Sequence, residues 1–201
     1  MIKIVVIGAG GRMGKTIVAC AEDTDGVSIT GGTEYSGHSA IGSDLGVLAG
    51  IGKKNIFIVE NIKDALRDCD VIIDFTTPES SIKTLKAAVS YEKSIVIGTT
   101  GFSSEQKKII SQAAEKIRCV FAPNMSIGIN VLFKIVEDVS KVLGDAYDIE
   151  IVEAHHKFKK DAPSGTAVRL SEIIADSLDR DINQVGVYGR QGIAERTSKE
   201  I

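Results

Sequence analysis

Short runs of β-branched and other apolar residues recur along the first two-thirds of this chain, at Ile2–Ile7, Val27–Gly31, Ile56–Val59, Val71–Phe75, Ser94–Ile97 and Cys119–Phe121. They are apolar almost throughout rather than at alternate positions, which predicts strands buried on both faces. Between most of them lie segments with apolar residues at helical spacing: Met13–Glu22, Ile62–Arg67, Glu79–Tyr91 and Ser104–Lys116. This alternation predicts a parallel sheet covered by helices, an α/β architecture. Tyr35–Lys54 breaks the rhythm with scattered glycines and mixed polarity, and is expected to be a long loop with room for one helical turn.

A second part begins near Met125. Gly128–Leu143 predicts a helix, with Ile129, Leu132, Phe133, Val136, Val139 and Val142–Leu143 towards one side. Asp148–Ala154 alternates apolar and polar residues and reads as a strand. Ser164 is placed to cap a helix over Thr166–Leu178, and Val185–Tyr188 reads as a further strand. These boundaries divide the chain into domains at 1–124 and 125–201.

Composition narrows the class. Of 201 residues, 43% are hydrophobic and 25% charged, with a formal net charge of -3. That balance suits a globular protein and argues against a nucleic-acid coat or a polybasic membrane binder. No apolar run approaches the roughly 18–20 residues that span a bilayer, and the N-terminal run is better explained as a buried strand than as a signal peptide. Cys20, Cys69 and Cys119 lie far apart without metal-ligand spacing, which predicts small buried hydrophobes in a reducing compartment and a cytoplasmic location.

Candidate chemistry starts where the first strand meets the first helix. Gly8-Ala9-Gly10-Gly11-Arg12-Met13-Gly14 offers glycines at 8, 11 and 14, a variant of the dinucleotide turn. Such a turn needs a tight bend, a bare backbone and free N–H groups at a helix N-terminus to receive a pyrophosphate. A packing turn is the competing reading. Glu34, at the end of the second strand, stands where an acid would grip a ribose 2′-hydroxyl; a solvated loop glutamate is its alternative. Tyr35 follows, not an arginine, so no evident partner for a 2′-phosphate is supplied unless Arg12 serves. The balance favours NADH and leaves NADPH open. Asp74–Pro78 and Gly98–Gly101 then follow strands at their carboxyl ends, the edge on which open α/β sheets bind ligands.

The most specific segment is Glu153–Ala167. His155 and His156 are adjacent, and neighbours on an extended chain point opposite ways, which counts against a shared metal. With Lys157, Lys159 and Lys160 close behind, the segment suits proton transfer and anion recognition. Ser164-Gly165-Thr166 opens a helix whose N–H groups can hold a carboxylate. The plain alternative is a solvated charged loop ahead of a capped helix.

Taken together, Gly8–Gly14, Asp74–Pro78, Gly98–Phe102, Ala122–Asn124 with Ser126 and Gly128, and above all Glu153–Ala167 resemble the dihydrodipicolinate reductases of the diaminopimelate route to lysine. The resemblance implies a Rossmann-type parallel-sheet domain, then an α+β substrate domain built on a mixed sheet, assembled as a homotetramer. It implies cofactor contacts at Gly8, Ala9, Gly10, Gly11, Arg12, Met13, Glu34, Gly98, Thr99, Thr100, Ala122, Pro123, Asn124 and Met125. His155 would be the proton donor and Lys159 the second catalytic group. His156, Ser164, Gly165 and Thr166 would bind the carboxylates of a small cyclic dicarboxylate. The implied reaction is hydride transfer from NADH or NADPH to an unsaturated ring, with no metal, nucleic acid or membrane involved.

Two departures are visible. Tyr35 stands where many family members have arginine, and the family continues beyond the position of Ile201, so the second domain is expected to be incomplete. An amino-acid dehydrogenase of related fold, or a dinucleotide-binding module without catalysis, are the competing functions, because fold alone does not fix chemistry. The reductase reading requires residues 153–167 to face the nicotinamide.

Overall fold

Ile2–Ile7 forms β1, whose successive side chains enter opposite apolar layers: Val5 and Ile7 join one cluster, Ile4 and Val6 the other. That two-sided burial is why the strand is apolar from Ile4 to Ile7, while Lys3 falls at its partly exposed start. The remaining strands are β2 (Val27–Thr33), β3 (Ile58–Val59), β4 (Val71–Asp74), β5 (Ser94–Ile97) and β6 (Cys119–Phe121). All five ladders are parallel, in the order β3-β2-β1-β4-β5-β6. The order reverses between β1 and β4, the switch point beside which doubly wound sheets bind dinucleotides. The computed structural model describes residues 1–157, 159, 162–193, 195–197 and 199–201.

Helices cover both faces. α1 (Arg12–Glu22) and α2 (Leu45–Ala49) bring Val18, Ala21 and Leu45 to the layer containing Ile4, Val6 and Ile58. On the other face, α3 (Ile62–Ala65) and the turn after it, α4 (Pro78–Ser90) and α5 (Ser104–Ala114) bring Ala65, Leu66, Leu85, Ala88, Ile110 and Ala113 onto Val5, Ile72, Ile95 and Ile97. Local chemistry sets the helix starts. Thr77 caps α4 by accepting from the Ser80 N–H, with Pro78 in the first turn. Ser103 and Gln106 form a reciprocal capping box on α5.

The chain divides into two compact units, Met1–Ala122 and Pro123–Ile201. The second holds α6 (Ile127–Leu143), α7 (Gly165–Ser177) and α8 (Ile182–Val185). α6 packs against α7, and Ile129, Phe133 and Val136 reach partial burial. Val131, Leu132, Ile135, Val139 and Val142 on α6 stay exposed, so the predicted apolar stripe is only partly covered.

Three expectations need correction. Asp148–Ala154 is not a strand: Val152 is 92% exposed, and no ladder forms along the segment among the described residues. Alternation creates a strand only where a neighbour accepts its backbone hydrogen bonds. Val185–Tyr188 is not one either, since Val185 ends α8. Only a pair of bonds links this stretch to Ile201, whose N–H donates to the Val185 carbonyl and whose carbonyl accepts from Val187. In the first unit, the loop expected over Tyr35–Lys54 holds the one short helix for which it had room, α2, capped by Asp44. Cys20 is exposed on α1, whereas Cys69 is buried and Cys119 half-buried.

Ile72 is fully buried at the centre of one layer. Ile72→Ala should cost about 2–5 kcal/mol through lost burial and a cavity, measured by urea denaturation; a change below 1 kcal/mol would contradict this packing.

Candidate active site

At the carboxyl end of β1 the chain reverses into α1 within a few residues. Gly8 sits at φ +70°, a left-handed conformation that glycine adopts without strain. The N–H groups of Gly8 and Ala9 both donate to the Thr33 carbonyl, at 2.9 and 3.1 Å, and Gly11 N–H closes back on Gly8 at 3.0 Å. A Cβ on Gly14 would lie 2.2 Å from the Gly8 carbonyl oxygen, so α1 seats on the turn only because residue 14 has no side chain. Gly11 caps the helix without a side-chain hydrogen bond. The first N–H groups of α1, from Arg12 and Met13 onward, therefore have no intrahelical acceptor and carry the positive end of the helix dipole. This is a cradle for an anion.

Glu34 leaves the end of β2 and turns back onto the cradle. It is 8% exposed, and its carboxylate accepts from Gly10 N–H at 2.9 Å and from Tyr35 N–H at 3.3 Å. The solvated-loop alternative does not describe it. His38, to which the sequence reading gave no role, belongs to the same corner. Its ring meets Tyr35 edge-on at 4.9 Å, and Nδ1 accepts from Ala40 N–H at 3.1 Å. Only its distance of four residues from Glu34 hinted at this.

Beside the turn opens a cleft of about 640 Å³, lined among others by Gly8, Glu34, Tyr35, Thr76 and Thr77. The loops after β4 and β5 are tied together at its edge. Asp74 is fully buried, and its Oδ1 accepts from the Thr76 N–H at 3.0 Å and the Thr76 hydroxyl at 2.6 Å. Thr99 Oγ1 accepts from Thr76 N–H at 2.9 Å and from the Ser81 hydroxyl at 2.8 Å. The Thr99 side chain is thus turned into this network, while Thr100 is exposed and Gly98 half-buried on the same edge. Gly98 N–H donates to the Asp74 carbonyl and Ala122 N–H to the Ile97 carbonyl, which brings three strand ends into line. Asp74 drew no role from sequence; an acid ending a buried strand was the available signal.

In the second unit, Pro123 and Met125 are exposed and Asn124 is half-buried. The Asn124 side-chain amide donates to Thr166 Oγ1 at 3.2 Å, and its oxygen accepts from Ser126 N–H at 2.9 Å. A residue expected to serve the cofactor is therefore joined to one expected to serve the substrate. Ser164 is buried and caps α7, accepting from Ala167 N–H at 3.2 Å. Its own N–H donates to Glu153 Oε1 at 2.9 Å, and the other oxygen of that carboxylate lies 2.9 Å from His155 Nε2. Glu153 thus fixes the imidazole and the start of α7 together. The hydrogen bonds from Ser164, and then from His155, lower the Glu153 carboxyl from its usual 4.5 to about 2.

His156 is exposed, and its carbonyl accepts from Lys159 N–H at 3.0 Å, which tightens the loop and leaves Lys159 half-buried. Gly165 and Thr166 are half-buried at the first turn of α7. Phe158, Lys160 and Asp161, part of the predicted basic segment, lie outside the described residues. Glu153 as the holder of His155 was missed; its place two residues before the histidine was the only clue.

Comparison with known proteins decides the family. The family description "Dihydrodipicolinate reductase, N-terminus" matches residues 2–125, and "Dihydrodipicolinate reductase, C-terminus" matches residues 128–201. The chain belongs to the dihydrodipicolinate reductase family. Relatives named 4-hydroxy-tetrahydrodipicolinate reductase include those of Geotalea daltonii and Geobacter sulfurreducens, each 50% identical over all of this chain and 76% of the relative. That of Hahella chejuensis is 48% identical over the same shares. A solved dipicolinate-bound dihydrodipicolinate reductase from Paenisporosarcina sp. TG-14 shares the fold, with a TM-score of 0.62 and 24% identity over 98% of this chain and 71% of that one. The α/β Rossmann-type reading and the resemblance drawn from the stretches between Gly8 and Ala167 both stand.

Two measurements test this geometry. Gly14→Ala should lower stability by about 1–3 kcal/mol, because helix or turn must shift to admit the methyl group; unchanged thermal unfolding would contradict the contact. Glu153 has a folded-state pKa below its usual value, so its contribution to stability is complete above about pH 4.5 and is lost as pH falls towards 2. Glu153→Gln should therefore flatten the acid limb of the stability profile in that window. An identical limb in both proteins would show that the carboxylate is not held.

Proposed function

We propose that this chain is a 4-hydroxy-tetrahydrodipicolinate reductase of the diaminopimelate route to lysine, reducing a small cyclic dicarboxylate at the expense of a nicotinamide cofactor. The observation that carries the proposal is the Glu153 carboxylate, shared between His155 and the amide that starts α7. It sets a proton-transfer group beside an anion cradle in a chain half-identical to enzymes of that name.

The residues present suit the cofactor. The bare turn at Gly8–Gly11 and the uncapped start of α1, with Arg12 and Met13, would receive the pyrophosphate, and Glu34 would accept the ribose hydroxyl. Gly98, Thr99 and Thr100, with Ala122–Met125, would hold the nicotinamide half. Tyr35 in place of a cation favours NADH. When bound, the cofactor supplies a hydride to an unsaturated carbon of the ring.

The second unit would hold the substrate. Gly165 and Thr166 would offer the N–H groups of α7 to one carboxylate, with Ser164, the cap of that helix, beside them, and His156 and Lys159 would meet the other. Hydride addition leaves electron density on the ring and its nitrogen, and His155 would deliver the proton that neutralises it. Starting from the hydroxylated ring, one NADH and one proton give tetrahydrodipicolinate, NAD⁺ and water, with an acid assisting the departing hydroxyl. On this reading residues 1–124 bind the dinucleotide and 125–201 the substrate and neighbouring subunits of a cytoplasmic homotetramer.

His155→Ala and Lys159→Ala should each lower turnover by roughly 10²-fold or more, with NADH affinity nearly intact by fluorescence titration. Wild-type rates in both would remove the mechanism. In the wild type, consumption of aspartate semialdehyde would favour an amino-acid dehydrogenase, and nucleotide binding without turnover would favour a sensor module.

A further inference from the structure

The cleft beside the glycine turn carries more acid than the ribose of a dinucleotide needs. Glu34 follows β2 and Glu60 follows β3, and the register pairs Thr33 with Val59. Glu34 N–H also donates to the Val59 carbonyl at 3.1 Å. The two glutamates therefore leave adjacent strand ends side by side, and both line the cleft. Glu79, from the first turn of α4, lines it as well. Among its lining residues the cationic side chain is Lys83, and Arg12 is not among them.

The two carboxylates differ in their surroundings. Glu34 is buried and fixed by Gly10 N–H and Tyr35 N–H, which leaves it as an acceptor for a ribose hydroxyl. Glu60 is exposed, and its carboxylate makes no ion pair among the described residues. It adds charge to the cleft without a fixed hydrogen-bonding duty.

We propose that Glu60 is a specificity residue, acting beside Glu34 to favour a ribose with a free 2′-hydroxyl over one bearing a 2′-phosphate. The proposal rests on reading this cleft as the cofactor site. A phosphate monoester carries roughly 1.5 to 2 negative charges at neutral pH. Cofactor sites that accept it supply an arginine where this chain has Tyr35. Here the added phosphate meets a carboxylate that cannot donate to it and a second that repels it across partly screened solvent. The absence of an arginine removes attraction; Glu60 supplies the repulsion, and discrimination is usually built from both.

The test is fluorescence titration of the intact protein with NADH and NADPH, for wild type, Glu60→Gln and Glu60→Lys. The wild type should bind NADH more tightly. Glu60→Gln should tighten NADPH by roughly fivefold and Glu60→Lys by more, as expected for one charge in a solvated cleft, while NADH shifts less than twofold. The gain in Glu60→Gln should shrink as salt is raised, because the repulsion removed is screened; a gain arising from altered packing would not. NADPH affinity unchanged in both variants, parallel shifts of both nucleotides, or a wild-type preference for NADPH would each overturn the proposal. If neither nucleotide saturates the protein, the reading of the cleft fails first and takes this proposal with it.

Discussion

The chain can pass from β1 into α1 only if the backbone of the helix comes within contact distance of the turn, and a Cβ at position 14 would stand 2.2 Å from the Gly8 carbonyl. That approach sets the direction of α1. With α1 seated on the turn, its N-terminus opens at the carboxyl edge of the sheet, next to the point where strand order reverses. Glu34 completes the corner because Gly10, lacking a side chain, lets its carboxylate reach the backbone N–H. A helix N-terminus open to an anion and a fixed carboxylate beside it thus follow from a handful of residues.

The second unit reaches a comparable arrangement by other means. One carboxylate, Glu153, receives the first amide before α7 and holds the ring of His155, so a single ionised group organises both a proton-bearing side chain and a helix N-terminus. Its depressed pKa follows from those hydrogen bonds rather than from burial. Asn124 joins the same corner through Thr166. In the first unit, Asp74 has a related organising part, ordering the hydroxyls of Thr76 and Thr99 so that the loops after β4 and β5 are tied together.

Much of this was legible in the sequence where the signal is local. β1, β5 and β6 have the boundaries that the apolar runs predict, although β6, at the sheet edge, leaves Val120 and Phe121 exposed instead of buried on both faces. Ser164 was readable as a cap from its own chemistry. What the sequence withheld depends on partners distant along the chain. The alternation of Asp148–Ala154 is genuine, but a strand needs a neighbour, and none of the described residues supplies a ladder. The α6 stripe follows helical spacing, yet only Ile129, Phe133 and Val136 find partial cover against α7. Glu60 was invisible for the same reason, since its importance arises from the register of β3 on β2 and not from any motif. Family likeness filled part of this gap, because residues 153–167 carry a pattern that fold alone does not explain.

The central claim is that a hydride from the nicotinamide and a proton from the chain reach the same substrate ring. It is tested most directly with cofactor deuterated on the transferable side of the nicotinamide and freshly generated 4-hydroxy-tetrahydrodipicolinate, followed by mass analysis of the product. The account predicts that the label appears in tetrahydrodipicolinate as the cofactor is oxidised, in step with enzyme concentration. Oxidised cofactor with an unlabelled product, or an unconsumed cofactor in the presence of both, would contradict it.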